Sequence, residues 1–180
     1  MAKVSKDDVI VVNENDEWLG TMEKMKAHKD GILHRAFSVF VLNNNNELLI
    51  QQRATTKYHS AGLWSNTCCS HPIPDESTMA GAHRRLREEM GFDCPLKELF
   101  TLRYKAQVDK GLIENEYDHI YFGYYDEAIH INPDEVSAFK YIPIDELEQW
   151  MTNAPALFTP WLHLAFPKIK AYVSTQQVNA

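Results

Sequence analysis

The sequence predicts a single α/β domain in which helices are layered on a mixed β-sheet. Three observations predict it. Short runs rich in β-branched and aromatic residues crowd the middle of the chain. One long segment, 78–90, carries an apolar stripe at helical spacing. No repeat, low-complexity tract or Gly/Ser-rich linker divides the 180 residues, a length that buries a substantial core without disulfides, so one domain over 1–180 is expected.

Taken in order, strands are expected at residues 9–12, 34–42, 47–52, 99–108, 114–125 and 137–142. The asparagine run 43–46, between two apolar segments, is expected to be a turn. The first helix should start at Ser77 or Thr78 and reach Met90. Met79, Ala82, Leu86 and Met90 place its apolar face on the sheet, and Gly91 stops it. A second helix is expected from 145 to about 151. A third starts at Pro160 behind Thr159 as N-cap, with Pro167 expected to kink or end it.

Composition narrows the function. Apolar residues make up 44% and charged residues 24%, and no run of about 18 apolar residues occurs, so neither a membrane span nor a membrane partner is expected. A net charge of −7 disfavours nucleic acid, and any phosphate site must rest on local cations or a metal. The N-terminal apolar run is only 9–12 and lacks the pattern of a leader, so a cytoplasmic location is expected. Three cysteines, Cys68, Cys69 and Cys94, are an odd number, and adjacent residues rarely bridge; reduced thiols follow.

The chemistry-bearing residues fall into a few segments. In "SHPIPDESTMAGAHRRLREEMGF", Arg85 and Glu89 share one helix face and Arg84 and Glu88 another, the ordinary pattern of surface ion pairs. In "ENEYDH", Glu114 and Glu116 project from the same strand face, solvated or compensated by a cation. His28, His34 and His71 could each be surface or core histidines. Together with the two glutamates they supply three nitrogen and two oxygen donors, a set suited to zinc, manganese or magnesium. "NTCCSHP" leaves its two thiols open as structural, metal-binding or catalytic.

The helix segment resembles the Nudix signature, with Glu76, Arg84, Leu86, Glu88, Glu89, Gly91 and Phe92 in signature positions. It departs at Ser70, where the signature has its first glycine, and at Arg85, where it has a carboxylate. A guanidinium there suits holding a diphosphate rather than completing a hydrolytic magnesium cluster. The ordered set "GTMEKMKAH", "LHRAFSVFV", "LLIQQRATTK", "LWSNTCCSHP", "RYKA", "ENEYDH" and "TPW" is similar to the type I isopentenyl-diphosphate Δ-isomerases of the Nudix superfamily over about 8–166.

That resemblance implies a Nudix-like α/β/α sandwich and interconversion of isopentenyl and dimethylallyl diphosphate through a tertiary carbocation-like state. It implies Cys69, rather than Cys68, as the catalytic thiol, with Glu116 and Tyr104 acting on the opposite face of the substrate. His28, His34, His71, Glu114 and Glu116 would hold a protein-bound divalent metal, and Glu89 a Mg²⁺ carried with the diphosphate. Lys24, Arg53, Lys57 and Arg85 would surround the diphosphate, and Trp161 would face the isoprenoid tail, with Trp64 left as a wall or core residue. Cys68 is expected only to pack. The implied partner is a small-molecule isoprenoid diphosphate, and the expected assembly a monomer or weak homodimer. Two other functions fit parts of the sequence: a Nudix hydrolase of a nucleoside diphosphate derivative, and a zinc-stabilised module built on Cys68, Cys69 and His71. The second lacks the CxxC spacing that wraps one ion.

Overall fold

The computed structural model describes residues 5 and 7–178; the ends of the expected 1–180 domain and the side chains of 177 and 178 lie outside the described residues. Strand β1 (Asp8–Val12) pairs antiparallel with β2 (Trp18–Glu23), and helix α1 (Lys24–Asp30) follows directly. Next come β3 (His34–Leu42), β4 (Glu47–Arg53) and two short strands, β5 (Trp64–Ser65) and β6 (Cys68–Ser70). Helix α2 (Thr78–Met90) leads into the long pair β7 (Leu96–Gln107) and β8 (Ile113–Tyr124). Strand β9 (Val136–Pro143), α3 (Ile144–Asn153) and α4 (Pro160–Val178) close the chain.

Strand β3 organises the sheet. Along one edge it runs parallel to β8, from His34↔Glu116 to Leu42↔Tyr124. Along its other edge it meets β1 at His34, β6 at residues 37–39 and β4 at Leu42. Side chains alternate across a strand, so β3 serves two cores. Phe37, Val39 and Val41 pack with Ala82, Leu86 and Met90 of α2. Phe40 and Leu42 pack with Leu147 and Met151 of α3 and with Leu162, Phe166 and Ile169 of α4. Each of the larger side chains among them contributes about 1.5–3 kcal/mol by leaving water. The result is the expected α/β/α sandwich with a mixed sheet.

Local chemistry sets the element ends. Ser77 accepts from the Ala80 amide at 3.1 Å and caps α2. Gly91 ends it with φ 73°, where a Cβ would collide with the His130 carbonyl. The asparagine turn forms as expected, with Asn46 at φ 60° and the Asn43 side chain accepting from the Asn45 and Glu47 amides.

Four elements were not expected: β2, α1, β5 and β6. Helix α1 is only seven residues long, and its cap is Glu23, whose carboxylate accepts from the Met25 and Lys26 amides at 2.8 and 2.7 Å in place of a Ser, Thr, Asp or Asn. The expectation that Pro167 kinks or ends the last helix is corrected in one respect, because α4 continues to Val178. Proline removes one backbone hydrogen bond there, but Phe166, Ile169 and Val173 are buried on either side and hold the segment against the sheet. Among the described residues no helix is long and apolar enough to cross a membrane.

Candidate active site

One face of the sheet changes character along its length. On β8 the alternate residues are Glu114, Glu116, Asp118, Ile120 and Phe122; on β3 they are His34, Ala36, Ser38, Phe40 and Leu42. The apolar ends lie under α3 and α4, and the polar ends are buried beside a cavity of about 470 Å³. Its walls carry Lys24, Arg53, Lys57, Cys69, His71, Arg85, Glu89, Tyr104, Glu114, Glu116 and Trp161. His28 and His34 are fully buried beside it.

The short strand β6 answers the question that "NTCCSHP" poses. It pairs with β3 so that Cys69 lies opposite Ser38 and Cys68 opposite Val39. Adjacent strand residues point to opposite faces, so Cys68 enters the core under α2 while Cys69 lines the cavity. All three cysteines are free. A zinc module using both neighbouring thiols is therefore incompatible with the fold.

His28, His34, His71, Glu114 and Glu116 bring one donor atom each to within 4.8 Å of one another, a group that could hold a metal ion. His28 Nδ1 lies 2.7 Å from the Lys24 carbonyl and His34 Nδ1 2.8 Å from the Ile32 carbonyl. A carbonyl only accepts, so both rings carry their proton on Nδ1 and present a bare Nε2. His34 Nε2 stands 3.2 Å from His71 Nε2, His71 Nε2 2.8 Å from Glu116 Oε1, and His28 Nε2 3.2 Å from Glu114 Oε2. Ligands about 2.1 Å from one ion sit roughly 3 Å apart. His28 Nε2 and Glu114 Oε2 are buried without hydrogen bonds. The donor set fits a divalent cation.

Burial and mutual charge pull these groups apart. Burial drives His34 down to about 4, and it holds His71 well below its ordinary range, with His34 adding to the effect. Burial opposes ionisation of Glu114, yet the neighbouring His28 and His59 rings keep it well below the carboxylate range. Glu116 is driven well above that range by burial and by the charges of Glu114 and Asp118. Two carboxylates on one strand face thus differ in basicity, the condition under which one stays charged while the other handles protons.

Glu116 also meets the phenol. Tyr104, its cross-strand partner, donates to Glu116 Oε2 at 2.5 Å and is itself buried, which raises its phenol well above the usual value. Cys69 sits on β6, on the other side of β3 from this pair, half-buried in the cavity, where desolvation pushes its thiol up to about 12. Trp161 closes the site from α4. Its Nε1 donates to Ser65 Oγ at 2.9 Å, and the Arg53 guanidinium lies 5.3 Å from the centre of its ring.

The cations reach the cavity with partners of their own. Arg85 is paired to Glu89 at 2.7 Å and to Glu135 at 3.0 Å, and Lys57 is paired to Glu135. Arg53 donates to the carbonyls of His59 and Ser60, each at 3.1 Å. Lys24 stands 4.8 Å from the Tyr58 ring centre, its ammonium lowered by desolvation. Glu89 lies apart from the histidine cluster, buried against Arg85 and receiving Gln51 Nε2 at 3.0 Å. Arg84 turns to Glu76 with two bonds of 2.8 Å, fixing the loop before α2.

Sequence reasoning missed His59, Ser65, Asp118 and Glu135. Asp118 continues the Glu114, Glu116 alternation and was open to discovery by period alone. Ser65 contacts Trp161 and Thr159, and its hydroxyl lies 3.9 Å from Cys69 Sγ. Thr159 keeps the N-cap position through its carbonyl, which accepts from His163, while its hydroxyl faces Ser65 at 3.1 Å. Trp64 stays out of the cavity and packs on Trp150, as a wall or core residue would.

Comparison with known proteins places this arrangement. The NUDIX domain family model matches residues 32–162. The chain is 54% identical over 165 residues to isopentenyl-diphosphate Delta-isomerase of Pectobacterium atrosepticum, covering 92% of each protein. It is 47% identical over 174 residues to isopentenyl-diphosphate Delta-isomerase 2 of Photorhabdus laumondii, covering 96% of each. A crystal structure of a Deinococcus radiodurans protein shares the fold at a TM-score of 0.72 and 17% identity, over 87% of this chain and 96% of that one. With the signature helix, the cavity and these relatives agreeing, the chain belongs to the type I isopentenyl-diphosphate Δ-isomerase family of the Nudix superfamily.

Proposed function

We propose that the protein interconverts isopentenyl diphosphate and dimethylallyl diphosphate, a proton being added at C4 of the alkene and another removed from C2. The observation that carries this function is a single cavity in which a thiol, a hydrogen-bonded Tyr–Glu pair, an indole face and four cations meet. Cys69 and the Tyr104–Glu116 pair enter from strands on opposite sides of β3, which supports acid and base working on opposite faces of a flat alkene. The positive charge that develops at C3 needs a partner that does not capture it. The face of Trp161 supplies one, worth about 1–2 kcal/mol where water is excluded.

Lys24, Arg53, Lys57 and Arg85 anchor the diphosphate. His28, His34, His71, Glu114 and Glu116 would hold a divalent ion, zinc, manganese or magnesium, whose charge compensates the two buried carboxylates and fixes Glu116, while Glu89 would hold a Mg²⁺ that arrives with the diphosphate. Hydrolysis of a nucleoside diphosphate derivative is not favoured: Arg85 replaces a signature carboxylate and pairs with Glu89 and Glu135. We further infer a single functional domain over 1–180 working as a monomer or weak homodimer in the cytoplasm, a placement that the three free thiols support.

Incubation with isopentenyl diphosphate and Mg²⁺ in ²H₂O tests the proposal. Dimethylallyl diphosphate carrying deuterium in a methyl group is expected by NMR. Release of phosphate with no isomerised product would refute it.

A further inference from the structure

His59 has no part in the roles assigned so far, yet it is 2% exposed and its Nε2 lies 2.6 Å from Glu114 Oε1. Its ring stands at an edge-on angle 6.0 Å from Trp161, so it lies between the histidine–glutamate cluster and the isoprenoid wall. Such a buried imidazole needs a reason.

The hydrogen-bond partners of the histidines separate their tasks. His28 and His34 face backbone carbonyls with Nδ1, which fixes the proton there and leaves Nε2 bare. His59 Nδ1 instead faces the Ser60 hydroxyl at 3.1 Å, and a hydroxyl can donate. With Nδ1 accepting, the His59 proton sits on Nε2, beside Glu114 Oε1. Glu114 is thereby divided: Oε2 faces His28 and the cation-binding group, and Oε1 faces His59. His59 Nε2 is itself outside the set of donor atoms that converge within 4.8 Å. Apart from this contact with Oε1, His59 Nε2 is buried without a hydrogen-bond partner.

The backbone around the ring is held independently. Arg53 donates to the carbonyls of His59 and Ser60, and Asp109 Oδ1 accepts from the Ser60 amide at 2.6 Å. Ser60 is at φ 49°, a left-handed conformation that these bonds maintain. The imidazole is thus presented on a clamped loop.

We propose that His59 is a positioning residue which, through Nε2–H, holds Glu114 Oε1 so that Oε2 faces the bound cation. This rests on Glu114 being a ligand, as set out above. Outer-sphere partners of this kind alter metal affinity by roughly 10–100-fold.

The test is a chelator titration of the full-length protein loaded with Zn²⁺, comparing wild type, His59→Leu, His59→Asn, His59→Gln and Glu114→Gln. His59→Leu and His59→Asn should bind Zn²⁺ about 10–100-fold more weakly. His59→Gln, whose amide N–H reaches the place of Nε2, should recover most of the loss, a rescue that a purely space-filling role would not give. Wild-type affinity in His59→Leu, with Glu114→Gln weakened, overturns the role of His59 alone. A Gln variant as weak as the Leu variant overturns it too. Wild-type affinity in Glu114→Gln overturns the metal site itself, a distinct result.

Discussion

Exchanging the neighbouring thiols one at a time separates catalysis from packing within a single peptide bond. Cys68 is fully buried among Val39, Leu86 and Met90, so Cys68→Ala leaves a cavity of about one heavy atom. Lost transfer energy plus that cavity costs about 1 kcal/mol. In a domain of this size that corresponds to roughly 2–4 °C in Tm. Turnover should stay within twofold or so, because no reacting atom moves. Cys69→Ala has the opposite profile. Its side chain ends in the cavity and leaves the core intact, so the Tm change should be smaller than that of Cys68→Ala. Removing a group that transfers a proton costs about 10²–10⁴ in rate. The assays are conversion of isopentenyl diphosphate by NMR and thermal unfolding of the same preparations. If Cys68→Ala abolishes turnover while Cys69→Ala only melts earlier, the β3–β6 register and the catalytic assignment are both wrong.

Three further outcomes are expected. Glu116→Gln should lower kcat by at least about 100-fold at any Mg²⁺ concentration, whereas Glu89→Gln should recover as Mg²⁺ is raised; equal, unrecoverable losses would place both carboxylates in binding. Trp161→Phe and Trp161→Leu both lose the bond to Ser65, so their difference isolates the π face: Leu should turn over roughly 5–30-fold more slowly than Phe, and equal rates would remove the cation–π role. Burial raises the Cys94 thiol from about 9 to about 11, so its contribution to stability is intact below pH 9 and is lost as pH rises through 11; chemical denaturation of Cys94→Ala should show a shallower alkaline decline, and an unchanged decline would contradict the burial.

How much of this was legible in the sequence depended on period and length. Six of the strands, β1, β3, β4, β7, β8 and β9, and helix α2 announced themselves through residue type, alternation or the 3.6-residue stripe, although β7 and β8 start earlier than the pattern suggested. Strand β6 has three residues, too few for a period, yet it decides which thiol is which. Helix α1 escaped because its cap is a glutamate and its solvent face is lysine-rich. Pro167 does not end α4, because its local backbone loss of about 3 kcal/mol is offset by three buried side chains, Phe166, Ile169 and Val173. His59 was invisible for a different reason: nothing in "KYHSAG" relates it to Glu114, 55 residues later by the numbering, until the loop folds back.

The site itself follows from where a sheet face changes from apolar to polar. Along β8 the inward positions run Glu114, Glu116, Asp118, Ile120, Phe122, and the parallel register with β3 sets His34 beside Glu116 and brings Ser38 to Asp118 at 2.8 Å. The apolar half pays the cost of ordering the strands, and the polar half is carried into low dielectric because it is continuous with it. There the carboxylates repel one another and are desolvated, a penalty that histidines, a phenol and a cation can compensate only if they converge from other elements. His28 comes from α1, His71 from the segment just after β6, and Tyr104 from β7, the strand that pairs β8 residue for residue at Glu116. An uninterrupted apolar alternation on β8 would stabilise the sheet further but would leave no buried carboxylate to tune. The break in the pattern at Asp118 therefore marks where the fold stops serving stability and begins supplying buried polar groups beside the cavity.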